Sequence, residues 1–274
     1  MFSIIARRSL HATATCCKRS RIAISNQSHD TSHLVTTDNK TYQLIAFPQQ
    51  APIPKTDLAL ADKTFMQPVR FVKSISAVSQ APTSSQPEVA FVGRSNVGKS
   101  TAINQLTSNS KLAKTSSKPG HTRLLNFFDV GGKVTLVDMP GYGYRSREEW
   151  GDLVLEYLSS RSQLRRLFIL VDPTAGLKET DRQLMTYLDE HGLSYQIILT
   201  KRDKLTEAAF EKSKASIEKS LVESAMCCYP HILTIGKRRR SKNNETQVAN
   251  DVAHVRWSIL NAAGLLPSKT VKSP

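Results

Sequence analysis

The sequence predicts an α/β domain in three layers, a mostly parallel six-stranded sheet flanked by helices. Two observations carry this expectation. From about Phe71 onward, apolar runs of strand length alternate with amphipathic stretches of helix length, which is the pattern of a sheet covered on both faces. The first of these runs leads directly into Gly93-Arg94-Ser95-Asn96-Val97-Gly98-Lys99-Ser100-Thr101, which fits the phosphate-cradling pattern GxxxxGKS/T in its strand, loop and helix setting.

In chain order the strand-length runs are Val89 to Val92, Leu124 to Val130, Val134 to Val137, Leu167 to Val171, Gln196 to Leu199 and Ile232 to Ile235. Helical patterns begin after Lys99 and near Arg147, Glu179, Thr206 and Gln247. In the second of them Trp150, Leu153, Val154, Tyr157 and Leu158 recur at helical spacing, and in the last Val252, Val255, Trp257, Ile259 and Leu260 do. Core packing explains both sets. Residues 36–67 contain Pro48, Pro52 and Pro54 among scattered polar residues with no sustained period, which reads as a linker or extended arm with little fold of its own. The domain then occupies residues 68–266, and 267–274 form a C-terminal tail.

The 274 residues are 39% hydrophobic, enough for a substantial core, and no stretch approaches eighteen consecutive apolar residues, so no transmembrane helix is expected. The net charge of +15 points to a polyanionic partner, either RNA or an anionic membrane surface contacted peripherally. Residues 1–35 hold Arg7, Arg8, Lys18, Arg19 and Arg21 against Asp30 alone, so they account for +4 and the remainder for +11. Rich in Arg, Ser, Ala and Thr, with Phe2, Ile4, Ile5 and Leu10 interleaved, this opening has the composition of a mitochondrial transit peptide. Its alternative is a basic tail that contacts RNA directly. The four cysteines form two adjacent pairs, Cys16-Cys17 and Cys227-Cys228, and neither pair has zinc-ligand or CxxC redox spacing.

The chemistry lies in loops that follow strands. Gly93 and Gly98 permit the turns that aim backbone N–H groups at phosphates, Lys99 reaches the β and γ groups, and the Ser100 hydroxyl can hold Mg²⁺. Asp138-Met139-Pro140-Gly141 ends the run Val134 to Val137, where the acid can act on Mg²⁺ through water and the Gly141 N–H can meet a γ-phosphate. Thr200-Lys201-Arg202-Asp203-Lys204 ends another run. Asp203 there can accept from the ring N–H and exocyclic amine of guanine, a donor pair that adenine lacks, so GTP is the expected ligand. Between the first two loops lies Ser116 to Arg123, in which Gly120 contributes to a flexible polar stretch and Thr122 is placed to complete the Mg²⁺ shell and sense the γ-phosphate. Lys99, Thr122 and Gly141 are thus the residues expected to act on the reacting phosphate.

At this point the chain resembles a known family. GRSNVGKST, KPGHTRLLNFF, LVDMPGYGY and LTKRDK are similar to the motifs of the EngB-type (YihA-type) GTPases, in the Era, TrmE and EngA branch of translation-associated G proteins. The resemblance runs from about Phe71 to Leu265. It implies a single P-loop G domain acting in maturation of the large ribosomal subunit; with the transit-like opening, it implies a mitochondrial GTPase whose partner is the mitochondrial large subunit or its rRNA.

The sequence departs from the wider pattern at three places, one of them Pro173-Thr174 after Asp172, where family members more often carry an arginine and the change has no functional account. Where many small G proteins carry a water-orienting glutamine after DxxG, this chain has Tyr142, which implies slow intrinsic hydrolysis. The resemblance offers Asn96 as a K⁺ ligand beside the phosphates; its plainer role is to stabilise the loop turn. The guanine-carbonyl loop is expected at Thr234, Ile235 and Gly236, although family members carry a serine-rich segment there. Beyond it, Lys237 to Lys242 is a basic run suited either to rRNA phosphates or to solvent. Three rivals remain: a non-hydrolysing, GTP-dependent binder of ribosome or RNA; a P-loop ATPase or kinase, disfavoured by Asp203; and a basic RNA-binding module with a vestigial pocket.

Overall fold

The computed structural model describes residues 52–113, 124–142, 151–236 and 242–267. Seven strands form one sheet: β1 (Val69–Ile75), β2 (Glu88–Gly93), β3 (Leu125–Val130), β4 (Val134–Asp138), β5 (Leu164–Val171), β6 (Tyr195–Leu199) and β7 (Leu233–Thr234). Their spatial order is β1-β3-β4-β2-β5-β6-β7. From β4 through β2, β5 and β6 to β7 every pairing is parallel, whereas β3 pairs antiparallel with both β4 and β1. The fold is the P-loop GTPase fold expected from the sequence, with one strand more than the six read there.

The central strand explains the rest. All six residues of β2 are buried, so its side chains feed two cores in alternation. Ala90 and Val92 face one core, beneath helices α3 (Gly151–Ser160), α4 (Glu179–Glu190) and α5 (Glu207–Ser224), which supply Tyr157, Leu184, Leu188, Phe210 and Leu221. Val89 and Phe91 face the other, beneath α1 (Lys55–Phe65), α2 (Lys99–Leu106) and α6 (Lys242–Ala262), which supply Phe65, Ile103, Leu106, Val255 and Ile259. Phe91 stacks on Phe168 of the adjacent strand with ring centroids 5.3 Å apart.

Two elements differ from the sequence reading. The missed strand, β1, lies at the sheet edge and is exposed along most of its length, so Arg70 and Lys73 interrupt what would be an apolar run in a central strand. Within residues 36–67, read as a linker or arm, Lys55–Phe65 is a helix. Pro54 stands at its N-cap, where a missing N–H costs nothing, so the prolines that suggested a linker here mark a helix start. This helix packs on α6: Asp62 accepts from Arg256 at 2.9 Å, and the Arg256 guanidinium lies 5.4 Å from the Phe65 ring centroid. The expected helix near Gln247 begins earlier, at Lys242, and that near Arg147 is described from Gly151. The transit-peptide, Cys16-Cys17, Gly120 and Thr122 readings fall outside the described residues, as does all of the basic run except Lys242. Among the described residues no helix is long and apolar enough to cross a membrane.

Candidate nucleotide site

Three loops leave the carboxyl ends of β2, β4 and β6 and meet at one rim of the sheet, where parallel α/β folds bind ligands. The β2 loop turns because two residues adopt left-handed backbone angles, Asn96 at φ 63° and Gly98 at φ 111°. Gly93 is required for a different reason. A Cβ there would lie 2.9 Å from the Leu170 carbonyl oxygen and 2.9 Å from the Val97 side chain, so the loop could not approach β5 as it does. Val97 is buried beneath the loop while Asn96 is exposed, and Lys99, Ser100 and Thr101 open the first turn of α2. That helix start directs N–H groups toward an anion.

Asp138 ends β4 and is 5% exposed. It accepts a hydrogen bond from the Lys99 ammonium, so the phosphate-loop lysine and the acid of DxxG share one point. Gly141 follows. A Cβ on it would sit 3.3 Å from the Gly93 carbonyl and from the Ser95 backbone, which places the DxxG segment flat against the phosphate loop. Two backbone hydrogen bonds fix that contact, from Tyr142 N–H to the Gly93 carbonyl at 3.2 Å and from Ser95 N–H to the Tyr142 carbonyl at 2.9 Å. The Tyr142 side chain turns away into the core and donates to Asp181 Oδ1 at 2.7 Å. Burial first, and then the Asp181 carboxylate, hold this phenol well above its ordinary pKa, so it stays protonated.

The third loop is tied to the first. Thr200, 2% exposed, donates its hydroxyl to the Val97 carbonyl at 2.7 Å, linking the end of β6 to the phosphate loop. Lys201 follows in the left-handed region, at φ 52°, and its ammonium donates to Asp172 Oδ2 at 2.7 Å. Partial burial alone would raise the Asp172 pKa. Hydrogen bonds from Lys201 and Thr174 outweigh it and hold the carboxyl below its usual range. Thr174, in the Pro173-Thr174 pair that the sequence left without an account, closes the turn by donating to Asp172 from both its N–H and its hydroxyl.

Asp203 and Lys204 lie in the short turn Arg202–Lys204. The Thr234 to Gly236 segment runs beside that turn: the Ile235 N–H donates to the Leu199 carbonyl at 2.8 Å, and a Cβ on Gly236 would lie 3.4 Å from Asp203 Oδ1. Gln105 of α2 donates to the Gly236 carbonyl at 2.7 Å and pins that segment to the phosphate-loop helix. The structure therefore brings together Gly93 to Thr101, Asp138, Gly141, Thr200 to Lys204 and Thr234 to Gly236. Sequence reading missed Asp172, Asp181 and Gln105. The first stands at a strand end, which is a usable signal; nothing local marks the other two.

A family model described as "50S ribosome-binding GTPase" matches residues 88–201. A probable GTP-binding protein EngB of Caulobacter vibrioides (strain NA1000 / CB15N) is 40% identical over 200 residues, 71% of this chain and 87% of that protein. The protein of the same description from Anaplasma phagocytophilum (strain HZ) is 50% identical over 145 residues, 51% of this chain and 75% of that one. A solved structure of a probable GTP-binding protein engB shares 22% identity with a TM-score of 0.43, covering 62% of this chain and 99% of the other. With 40% identity across 87% of a relative, and with every described motif loop at one rim of the sheet, this chain belongs to the EngB-type GTPase family.

Proposed function

We propose that the chain binds GTP with Mg²⁺, hydrolyses it slowly, and uses the difference between its GTP and GDP forms as a switch in assembly of the mitochondrial large ribosomal subunit or in mitochondrial translation. The observation that carries this reading is the direct bonding of the loops to one another. Lys99 pairs with Asp138, Thr200 bonds the phosphate loop, and Gly236 lies against Asp203.

Each residue has a task. A triphosphate would replace Asp138 as partner of the Lys99 ammonium, which would then offset charge developing on the phosphates. The donor set suits Mg²⁺, since Ser100 in the first turn of α2 offers a hydroxyl oxygen and Asp138 at the end of β4 a carboxylate. Ser100 and Thr122 would hold the ion directly and Asp138 through water, and the ion would supply neutralisation of the phosphate charge. Asp203 would select guanine, helped by the Lys201 stem. The Gly141 N–H would report the γ-phosphate to the segment beyond Tyr142. K⁺, if recruited, would enter at Asn96, whose exposed side chain sits on the loop. The net charge of +15 suits a polyanionic partner, and the family resemblance makes rRNA the surface that the switch would act on, with Lys237 to Lys242 as its contact.

One observation favours a second reading, a GTP-dependent binder that does not hydrolyse. The side chain after Gly141 is engaged with Asp181 in the core, so it does not serve to orient water. Single-turnover phosphate release, with and without ribosomal particles, separates the two. Release in either condition supports the enzyme, and none in both refutes it. Co-sedimentation with mitochondrial ribosomal subunits in GDP and in a non-hydrolysable GTP analogue tests the switch, which requires the two nucleotides to differ. Equal turnover in Na⁺ and K⁺ buffers would remove the K⁺ role.

A further inference from the structure

The Tyr142 to Asp181 hydrogen bond joins the nucleotide rim to helix α4. Both side chains are buried, at 3% and 1% exposure, and lie 39 residues apart in sequence. Asp181 is itself held rigidly. Its second oxygen, Oδ2, accepts from the Lys178 N–H at 2.8 Å at the start of α4, and the next turn of that helix sinks Leu184, Met185 and Leu188 into the core. Tyr142 is therefore fixed at three points: by its N–H and carbonyl on the phosphate loop, and by its hydroxyl on α4. Gly141 precedes it and lies 3.3 Å, measured from an added Cβ, from the loop backbone at Ser95.

We propose that Asp181 is a positioning residue of the nucleotide site, acting through the Tyr142 hydroxyl to set where the Gly141 N–H stands relative to a γ-phosphate. This rests on the GTP-switch reading above. A backbone N–H that recognises a phosphate must be held before the ligand arrives, because ordering it afterwards costs binding free energy. The phosphate-loop bonds fix Tyr142 along the sheet rim, and the bond to α4 fixes the rotation of its side chain about that line. GDP has no γ-phosphate and does not sense Gly141; GTP does. The consequence is selective: loss of the bond weakens GTP and leaves GDP alone. A bond that only stabilised the fold would weaken both or neither.

The test measures affinity of the full chain for GDP and for a non-hydrolysable GTP analogue, in wild type, Tyr142→Phe, Asp181→Ala and Asp181→Asn. Phenylalanine keeps the ring in its core position and removes only the hydroxyl. Asparagine can keep both contacts, its oxygen accepting from Lys178 N–H and its amide donating to the tyrosine oxygen. The expected result is about a tenfold loss for the analogue in Tyr142→Phe and Asp181→Ala, with GDP affinity unchanged and Asp181→Asn near wild type. Unchanged GDP affinity also certifies that each variant is folded. Equal losses for the two nucleotides in Tyr142→Phe, or no loss for either, would overturn the positioning role. Wild-type protein that bound neither nucleotide would remove the GTP-switch reading itself and the positioning role with it.

Discussion

Thr200→Val is the sharpest probe of how the rim is held together. Valine matches the shape of threonine and removes only the hydroxyl, which donates to the Val97 carbonyl at 2.7 Å and lies 3.2 Å from the Val171 carbonyl. The second acceptor keeps a partner, because the Thr200 N–H also donates to it at 2.9 Å. The Val97 carbonyl is the group that loses. It lies where Thr200 is 2% and Val97 4% exposed, so water does not readily replace the donor. A buried acceptor deprived of its donor costs about 2 kcal/mol. For a domain of this size each kcal/mol moves the melting temperature by about 2–4 °C, so Thr200→Val should melt about 4–8 °C lower.

Val97 adjoins the Gly98 turn, and the same loss should therefore loosen the phosphate loop and weaken GDP by about three- to tenfold. Thermal melts followed by circular dichroism, with and without GDP, measure both effects. Thr200→Ser retains the donor and should recover most of the affinity, although it sacrifices a buried methyl. If Thr200→Val melts with wild-type protein and binds GDP equally well, the bond between β6 and the phosphate loop contributes nothing and the account of a mutually bonded rim fails.

The other expectations follow from the same kind of geometry. Gly93→Ala forces a Cβ to within 2.9 Å of the Leu170 carbonyl, a backbone atom that cannot swing aside, so it should destabilise the chain by about 2 kcal/mol in denaturant titrations and also lower GDP affinity. Arg161→Ala strips the cation from Glu88, which is 1% exposed and otherwise bonded by the Tyr157 hydroxyl at 2.7 Å; the loss should be about 3–5 kcal/mol, and adding Glu88→Gln should restore part of it. His231 is held down to about pKa 4, by burial first and then by neighbouring cations. Below about pH 6.5 the unfolded chain takes up a proton at this residue that the folded chain refuses until about pH 4, so stability falls with pH across that window. His231→Phe should flatten that part of the stability profile, and an unchanged slope would contradict the burial.

How much of this was legible in the sequence depends on how many partners each residue has. Strand β2 is buried on both faces, and its run of apolar residues announces it. Edge strand β1 has one neighbour, so Arg70 is free to face water and the strand signal dissolves. Helix α1 is short and lies behind three prolines; burial of Ala61 and Phe65 in the core and the contact with Arg256, almost two hundred positions later, give it a place. The phosphate loop, DxxG and TKRD segments are different in kind. Their residue types are written within a few positions of one another, as the left-handed turn at Asn96 and Gly98 shows, and glycine at Gly93 and Gly141 marks where the backbone of another segment comes close. Gln105 and Asp181 were illegible because each acts on a residue far away in sequence, through a single hydrogen bond that no spacing rule encodes.

Tyr142 shows how the two kinds of information combine. The sequence alone says that a phenol stands where a water-orienting amide is often found, and that it cannot do the same work. The structure adds that this position is committed to the core, its hydroxyl spent on Asp181 beside Leu184 and Met185. A polar side chain aimed at a reacting phosphate would have to leave that core and abandon the carboxylate there, which would then be buried and short of a donor. Fixing Gly141 and orienting a catalytic water are therefore competing uses of one position. In this chain the first has won, and any acceleration of hydrolysis has to come from a group that does not displace Tyr142.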